Sequence, residues 1–164
     1  MNKLNIIYIA GAGRSGSTIL DQILGQIPGI CSLGEVKQLW QSIQNKSPCG
    51  CGTSITECDF WSPVLDSLVN GDDSLDQIQQ RTKTLELCKT YPHFHRLTRI
   101  GNYAEAYKKH RGFLQKLYAT LRENACCEYL VDSSKYPYYA AMLNRIPNVL
   151  LNVIHLVRHH SGYV

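Results

Sequence analysis

Hydrophobic and polar positions along this chain follow two rhythms. LNIIYIAG (residues 4–11) is almost continuously apolar and ends at glycine. A run that short and that apolar predicts a strand buried on both faces, as in a parallel sheet. STILDQILGQIPG follows, with Ile19, Leu20, Ile23, Leu24 and Ile27 spaced on one helical stripe and Pro28-Gly29 as its stop. GICSL predicts a second short strand and GEVKQLWQSIQ a helix. NKSPCGCGTSITEC reads as a loop, rich in Gly, Ser, Thr and Cys. DFWSPVLDSLV begins a helix with Pro63 near its first turn, and NGDDS is a turn. Residues 74–90 and 102–125 predict two longer amphipathic helices, with YPHFHRLTRIG between them. CEYLVDSS is a strand entering a polar loop, YPYYAAMLNRIPN a helix closed by Pro147, and VLLNVIHLVR a second strongly apolar strand. Strands separated by helices predict a single α/β domain over 1–164 with a parallel central sheet. Three or four strands leave such a sheet with exposed edges and an uncovered face.

Composition adds little to this picture and removes several classes. With 164 residues, 44% hydrophobic and 18% charged, the chain reads as an ordinary globular domain. A net charge of +4, spread along the chain, suits a small anionic ligand better than nucleic acid, which wants a basic stripe. No apolar run is long enough to span a membrane. The N-terminal apolar run passes directly into a glycine loop, so a buried strand is preferred to a signal peptide and the expected compartment is the cytoplasm. Thiols there stay mostly reduced, and seven cysteines argue against a complete disulfide framework.

The loop GAGRSGST, Gly11 to Thr18, lies between the first strand and the first helix. It has the spacing G-x-x-x-x-G-K-[ST] of a phosphate-binding loop, except that Ser17 takes the lysine position and the nearest cation is Arg14. Gly11, Gly13 and Gly16 let backbone amides approach a ligand, and the following helix adds free N–H donors and the positive end of its dipole. Arg14, Ser15, Ser17 and Thr18 add a cation and three hydroxyls. Without the lysine that bridges terminal phosphates, a donor carrying less charge on its transferred group fits better. A divergent ATP- and Mg²⁺-dependent kinase, with Asp132 as the magnesium-linked acid, is the alternative.

Four segments together resemble sulfotransferases that use 3′-phosphoadenosine-5′-phosphosulfate (PAPS). IYIAGAGRSGSTIL resembles their 5′-phosphosulfate loop, and VIHLVRHHSGYV is similar to their 3′-phosphate segment. SPCGCGTSITECDFW resembles a cysteine-bearing insert of bacterial members, and LVDSSK resembles their strand ending in a lysine-containing loop. The resemblance implies a P-loop-like, three-layer αβα fold. It also implies transfer of a sulfuryl group from PAPS to a hydroxyl or amine of a small-molecule, glycan or peptide acceptor, without an obligatory metal.

It assigns Gly13, Arg14, Ser15, Gly16, Ser17 and Thr18 to the 5′-phosphosulfate and Arg158 to the 3′-phosphate, where a guanidinium suits bidentate recognition. Glu35 in SLGE matches the general base of tyrosylprotein-type relatives; His93 and His95 are the runner-up base. Lys135, at the end of a parallel strand, is expected to reach the sulfuryl group or the leaving phosphate, with Asp132 orienting its loop and Ser134 as a weaker candidate. Trp40, Trp61 and the YPYY tyrosines read as core. After Arg158 the pattern departs: His159, His160 and Ser161 stand where Asp-Pro-Arg is common, while Gly162 remains. The expectation is the N-terminal portion of the family's domain, a truncated or fragmentary copy, with a non-catalytic remnant as a further alternative. Cys49, Cys51 and Cys58 are close enough in sequence to share a zinc ion, with Cys31 or a histidine as fourth ligand. The spacing C-x-C-x6-C is not a standard zinc pattern, so buried thiols in a compact loop bordering the acceptor site are preferred, with a metal or a disulfide as the lesser alternatives.

Overall fold

The structure is a computed structural model that describes residues 3–69, 74–86 and 101–159. Four strands, β1 (Leu4–Gly11), β2 (Ile30–Ser32), β3 (Tyr129–Lys135) and β4 (Val149–Leu156), form one all-parallel sheet in the order β2-β3-β1-β4. The helices among the described residues are α1 (Ser17–Leu24), α2 (Leu39–Gln44), α3 (Trp61–Val69), α4 (Leu75–Glu86), α5 (Gly101–Ala125) and α6 (Pro137–Leu143). The alternation of buried strand and helix makes this an α/β fold, compatible with a three-layer arrangement. None of these helices is long and apolar enough to cross a membrane.

The strand period of two separates the faces. Leu4, Ile6 and Tyr8 of β1 and Leu130 of β3 point into one core, where α2 to α6 contribute Trp40, Trp61, Val64, Ile78, Leu114, Leu117, Tyr118 and Met142. Trp40 packs edge-on against Phe113 at 5.3 Å between ring centres. The two tryptophans and Tyr138 and Tyr139 are buried, as their apolar context predicts. The other face carries α1.

One expectation needs correction. The apolar stripe of α1 does not face the sheet: Ile19 is 63% exposed and Ile23 59% exposed, and the helix ends at Leu24, before Ile27. Ser17, Asp21 and Gly25, spaced four apart, face inward instead. The approach explains this. A Cβ on Gly25 would lie 2.7 Å from Ser32 Cβ, and Asp21 Oδ2 accepts from Ser32 Oγ at 2.5 Å. Small and hydrogen-bonding groups fit that gap; isoleucines do not. The exposed edge expected of so small a sheet falls at β4: its apolar run is paired on one side only, to β1, and Val153 is 54% exposed.

Strand order positions the site. The chain leaves β1 through α1 on one face and leaves β3 through α6 on the other. Adjacent parallel strands whose connections diverge open a crevice at their carboxyl ends. Here the register also slips between Tyr8 and Ala10, so that Ala10 pairs with Lys135 at the end of the ladder.

Candidate functional site

The crevice collects residues that lie far apart in sequence. The β1–α1 loop lies at its centre, and Glu35 follows β2. Lys135 ends β3, and Arg158 follows β4. Of the expected site residues, Arg14, Glu35, Lys135 and Arg158 are brought to this one edge. His93, His95, His160, Ser161 and Gly162 lie outside the described residues.

The phosphate loop keeps its donors open. Gly16 is in the left-handed region at φ 93°, which turns the chain into α1, and no side chain caps that helix. The uncapped first turn leaves amide donors and a positive dipole end facing the crevice. Arg14 and Gly13 are exposed, and Thr18 is exposed at the rim. Ser15 Oγ is buried without a hydrogen-bond partner among the described residues. Ser17, the first residue of α1, is buried on the sheet side of the helix. Gly11 is required by packing, since a Cβ there would sit 2.5 Å from the carbonyl oxygen of Leu156.

Arg158 Nη1 donates to the carbonyl oxygen of Arg14 at 3.1 Å, so the expected 3′-phosphate arginine also braces the 5′ loop. Beside this contact lies a cleft of about 230 Å³ lined by Ala12, Ser15, His155, Leu156, Val157 and Arg158.

On the β3 side, Lys135 Nζ forms an ion pair with Glu35 Oε1. Lys135 adopts φ 72° and Arg14 φ 65°, both left-handed. Among the described residues, three other non-glycine residues share that conformation. Lys46 and Cys126 follow helix ends, and Asn148 lies in the turn into β4. Helix exits and asparagine turns favour it for local reasons. Arg14 and Lys135 have no such local reason, and strained backbone of this kind gathers at functional sites.

Asp132 is fully buried and does not reach the crevice. Its Oδ1 accepts from Ser134 N–H at 2.8 Å and from Ser134 Oγ, and its Oδ2 accepts from Tyr118 OH. Burial pushes its carboxyl up to about 6, against the lowering effect of the Ser134 and Tyr118 hydrogen bonds. Ser134 Oγ in turn accepts from Lys37 N–H at 3.0 Å, tying the segment after Glu35 to β3. Ser134 is therefore a structural residue of the loop rather than a ligand contact.

Sequence reasoning passed over Asp21. It is 3% exposed and close enough to Glu35 and Lys135 to interact with both charges. Burial raises its carboxyl, while Ser32 and the Gly34 amide lower it. The available signal was an acid at the position four after Ser17, inside an otherwise apolar helix.

A second, larger groove of about 460 Å³ begins at Glu35 and runs along Gln38, Gln41, Cys49, Ile55 and Trp61. Its outer wall is the cysteine loop. Cys49, Cys51 and Cys58 have their sulfurs within 4.8 Å of one another, with Cys51 exposed and Cys58 buried. Cys31 is not among them; its neighbour is Cys127. Hydrogen bonds from Thr53 lower the Cys51 thiol to about 7.

No family model, curated protein or solved structure matches this chain.

Proposed function

We propose that this chain is a P-loop-like αβα sulfotransferase domain, which moves a sulfuryl group from PAPS to a hydroxyl or amine of an acceptor. One observation carries the reading: strand order brings the uncapped phosphate loop, the Glu35–Lys135 pair and Arg158 to a single crevice. The residues fit the donor. The buried, unpartnered Ser15 Oγ and the uncapped α1 offer neutral donors, Arg158 offers a cation that lines the small cleft, and Arg14 offers a second on the adjoining loop.

Arg14, Ser15, Gly16 and Thr18 would hold the 5′-phosphosulfate, and Arg158 the 3′-phosphate. Bound there, the donor supplies an activated sulfuryl group on a phosphate leaving group. Fixed amide donors at a helix N-terminus stabilise charge that develops at such an oxygen without reorganising. Glu35 borders the 460 Å³ groove, where an acceptor would lie, and would take the acceptor's proton. Lys135 holds Glu35 in place and adds positive charge beside it. The kinase reading is less well supported, because both Asp132 oxygens are spent inside the fold.

Adenosine 3′,5′-bisphosphate, the product form of the donor, tests the reading. At a hundred times its dissociation constant it should stabilise the chain by about 2.7 kcal/mol. That corresponds to a rise of roughly 5–10 °C in Tm for a domain of this size. Arg14→Ala should remove the rise. Protection by ATP with Mg²⁺ but not by the bisphosphate would replace this reading with the kinase one.

A further inference from the structure

The cysteine loop contains an arrangement that sulfuryl transfer does not use. Pro48 and Ser54 form an isolated antiparallel bridge, Cys49 N–H donates to Thr53 O at 2.7 Å, and Gly52 N–H donates to Cys49 O at 2.9 Å. This tight turn places Cys49 and Cys51 on the same side. A 3-10 turn at Ile55–Glu57 then carries the chain back, and Cys58 meets them at the start of α3. The Cys51 and Cys58 sulfurs lie 3.6 Å apart, and all three lie within 4.8 Å of one another.

These distances discriminate between two chemistries. A disulfide needs sulfurs at about 2.05 Å and leaves the third thiol without a role. Zinc bound at about 2.3 Å in tetrahedral geometry sets its sulfurs about 3.8 Å apart. The Cys51–Cys58 spacing already has that value, and the other gaps close with about 1 Å of side-chain movement. The backbone supports the same chemistry. The Cys51 amide lies beside the Cys49 sulfur and the Thr53 amide beside the Cys51 sulfur, each close enough to favour the thiolate. Such N–H···S contacts orient and stabilise ligating thiolates.

We propose that Cys49, Cys51 and Cys58 form a three-thiolate zinc site, with its fourth position open to solvent on the Cys51 side. The ion staples the 48–58 loop and so fixes the outer wall of the groove that Glu35 borders. The proposal does not depend on the sulfuryl-transfer reading.

Cobalt(II) is the probe. The full chain, purified under reducing conditions and stripped by chelator, should take up one equivalent of Co(II). Uptake should produce tetrahedral thiolate bands in the visible and sulfur-to-cobalt charge transfer in the near ultraviolet. One equivalent of Zn(II) should bleach both. Cys51→Ser, at an exposed position that the core does not need, should lose both bands, and Cys49→Ser likewise. Cys126→Ser, an exposed cysteine outside the cluster, should retain them. Absence of the bands in the unaltered chain, or their persistence in Cys51→Ser, would overturn the site. So would an intact mass lighter by two hydrogens, with Cys51 linked to Cys58.

Discussion

β1 and β3 lie side by side and both end in the crevice, yet their ends are built in opposite ways. After β1 the chain runs through glycines into an exposed loop, where Ser15 Oγ and the uncapped first turn of α1 keep their donors free. After Val131 in β3, Asp132, Ser133 and Ser134 are all buried. Tyr118 and Lys37 engage the side chains of Asp132 and Ser134, so Lys135 alone emerges toward the site. Donors that are meant for a ligand must be left unsatisfied by the protein; a support for a charged lysine must be satisfied fully. The contrast predicts that damage at β3 appears as lost stability, and damage at the β1 loop as lost binding.

The largest effect is expected at Asp132. Replacing it with alanine removes the acceptor of the Ser134 N–H and Oγ donors and leaves Tyr118 OH with only Tyr139 OH at 3.4 Å; an unsatisfied buried donor costs about 1–3 kcal/mol. A loss of roughly 3 kcal/mol should lower Tm by about 6–12 °C. The folded chain holds this carboxyl's proton more tightly than the unfolded chain, since burial raises its pKa from the ordinary carboxylate range to about 6. The contribution is therefore greatest at acid pH and is lost as pH rises through about 6. Urea melts should show the deficit of Asp132→Ala largest near pH 4 and shrinking toward pH 7. Bisphosphate affinity of the folded variant should change little. An unchanged Tm with lost affinity would reverse the comparison.

Gly11 tests the point where the two behaviours meet. Alanine there drives a Cβ to 2.5 Å from the Leu156 carbonyl oxygen, and only movement of β4 relieves it. Overpacking of this kind costs about 1–3 kcal/mol. Because β4 leads into Arg158, binding should weaken as well. Gly13→Ala is the contrasting variant: its Cβ would meet nothing within 4 Å, so Tm should hold while the ligand loses its close approach to the backbone. Equal Tm losses in the two variants would show that the β1 loop is as much scaffold as β3.

Much of this architecture can be read from the sequence, because strand length, glycine stops and helix period are local properties. The alternation of β1, α1, β2, β3, α6 and β4 follows from them, as does the placing of Arg14 and Lys135 at strand ends. Orientation is not local. The isoleucines of α1 mark a stripe but not its direction, which the close Gly25–Ser32 approach decides. Six apolar residues among the eight of β4 mark a strand but not its place in the sheet, and strand order puts it at the edge. The spacing of Cys49, Cys51 and Cys58 matches no standard site; a turn and a 3-10 segment fold the sulfurs together. The left-handed backbone of Arg14 and Lys135 leaves no mark in the sequence, since neither is glycine.

Arg158 should give the smallest change in stability and is the most discriminating residue for the β1 side. Its hydrogen bond to Arg14 is exposed, so Arg158→Ala should shift stability by no more than about 0.5 kcal/mol. A charged hydrogen bond to a phosphate is worth about 1.5–3 kcal/mol, or roughly 10- to 150-fold in the bisphosphate dissociation constant measured by calorimetry. Arg158→Lys keeps the charge and loses the planar fork. If lysine restores most of the affinity, Arg158 acts as a general cation at the cleft. If it restores little, the guanidinium is needed, either for bidentate contact or to brace Arg14. The two roles separate with adenosine 5′-phosphate, which lacks the 3′-phosphate. A brace weakens that ligand too, whereas a 3′-phosphate contact leaves it unchanged.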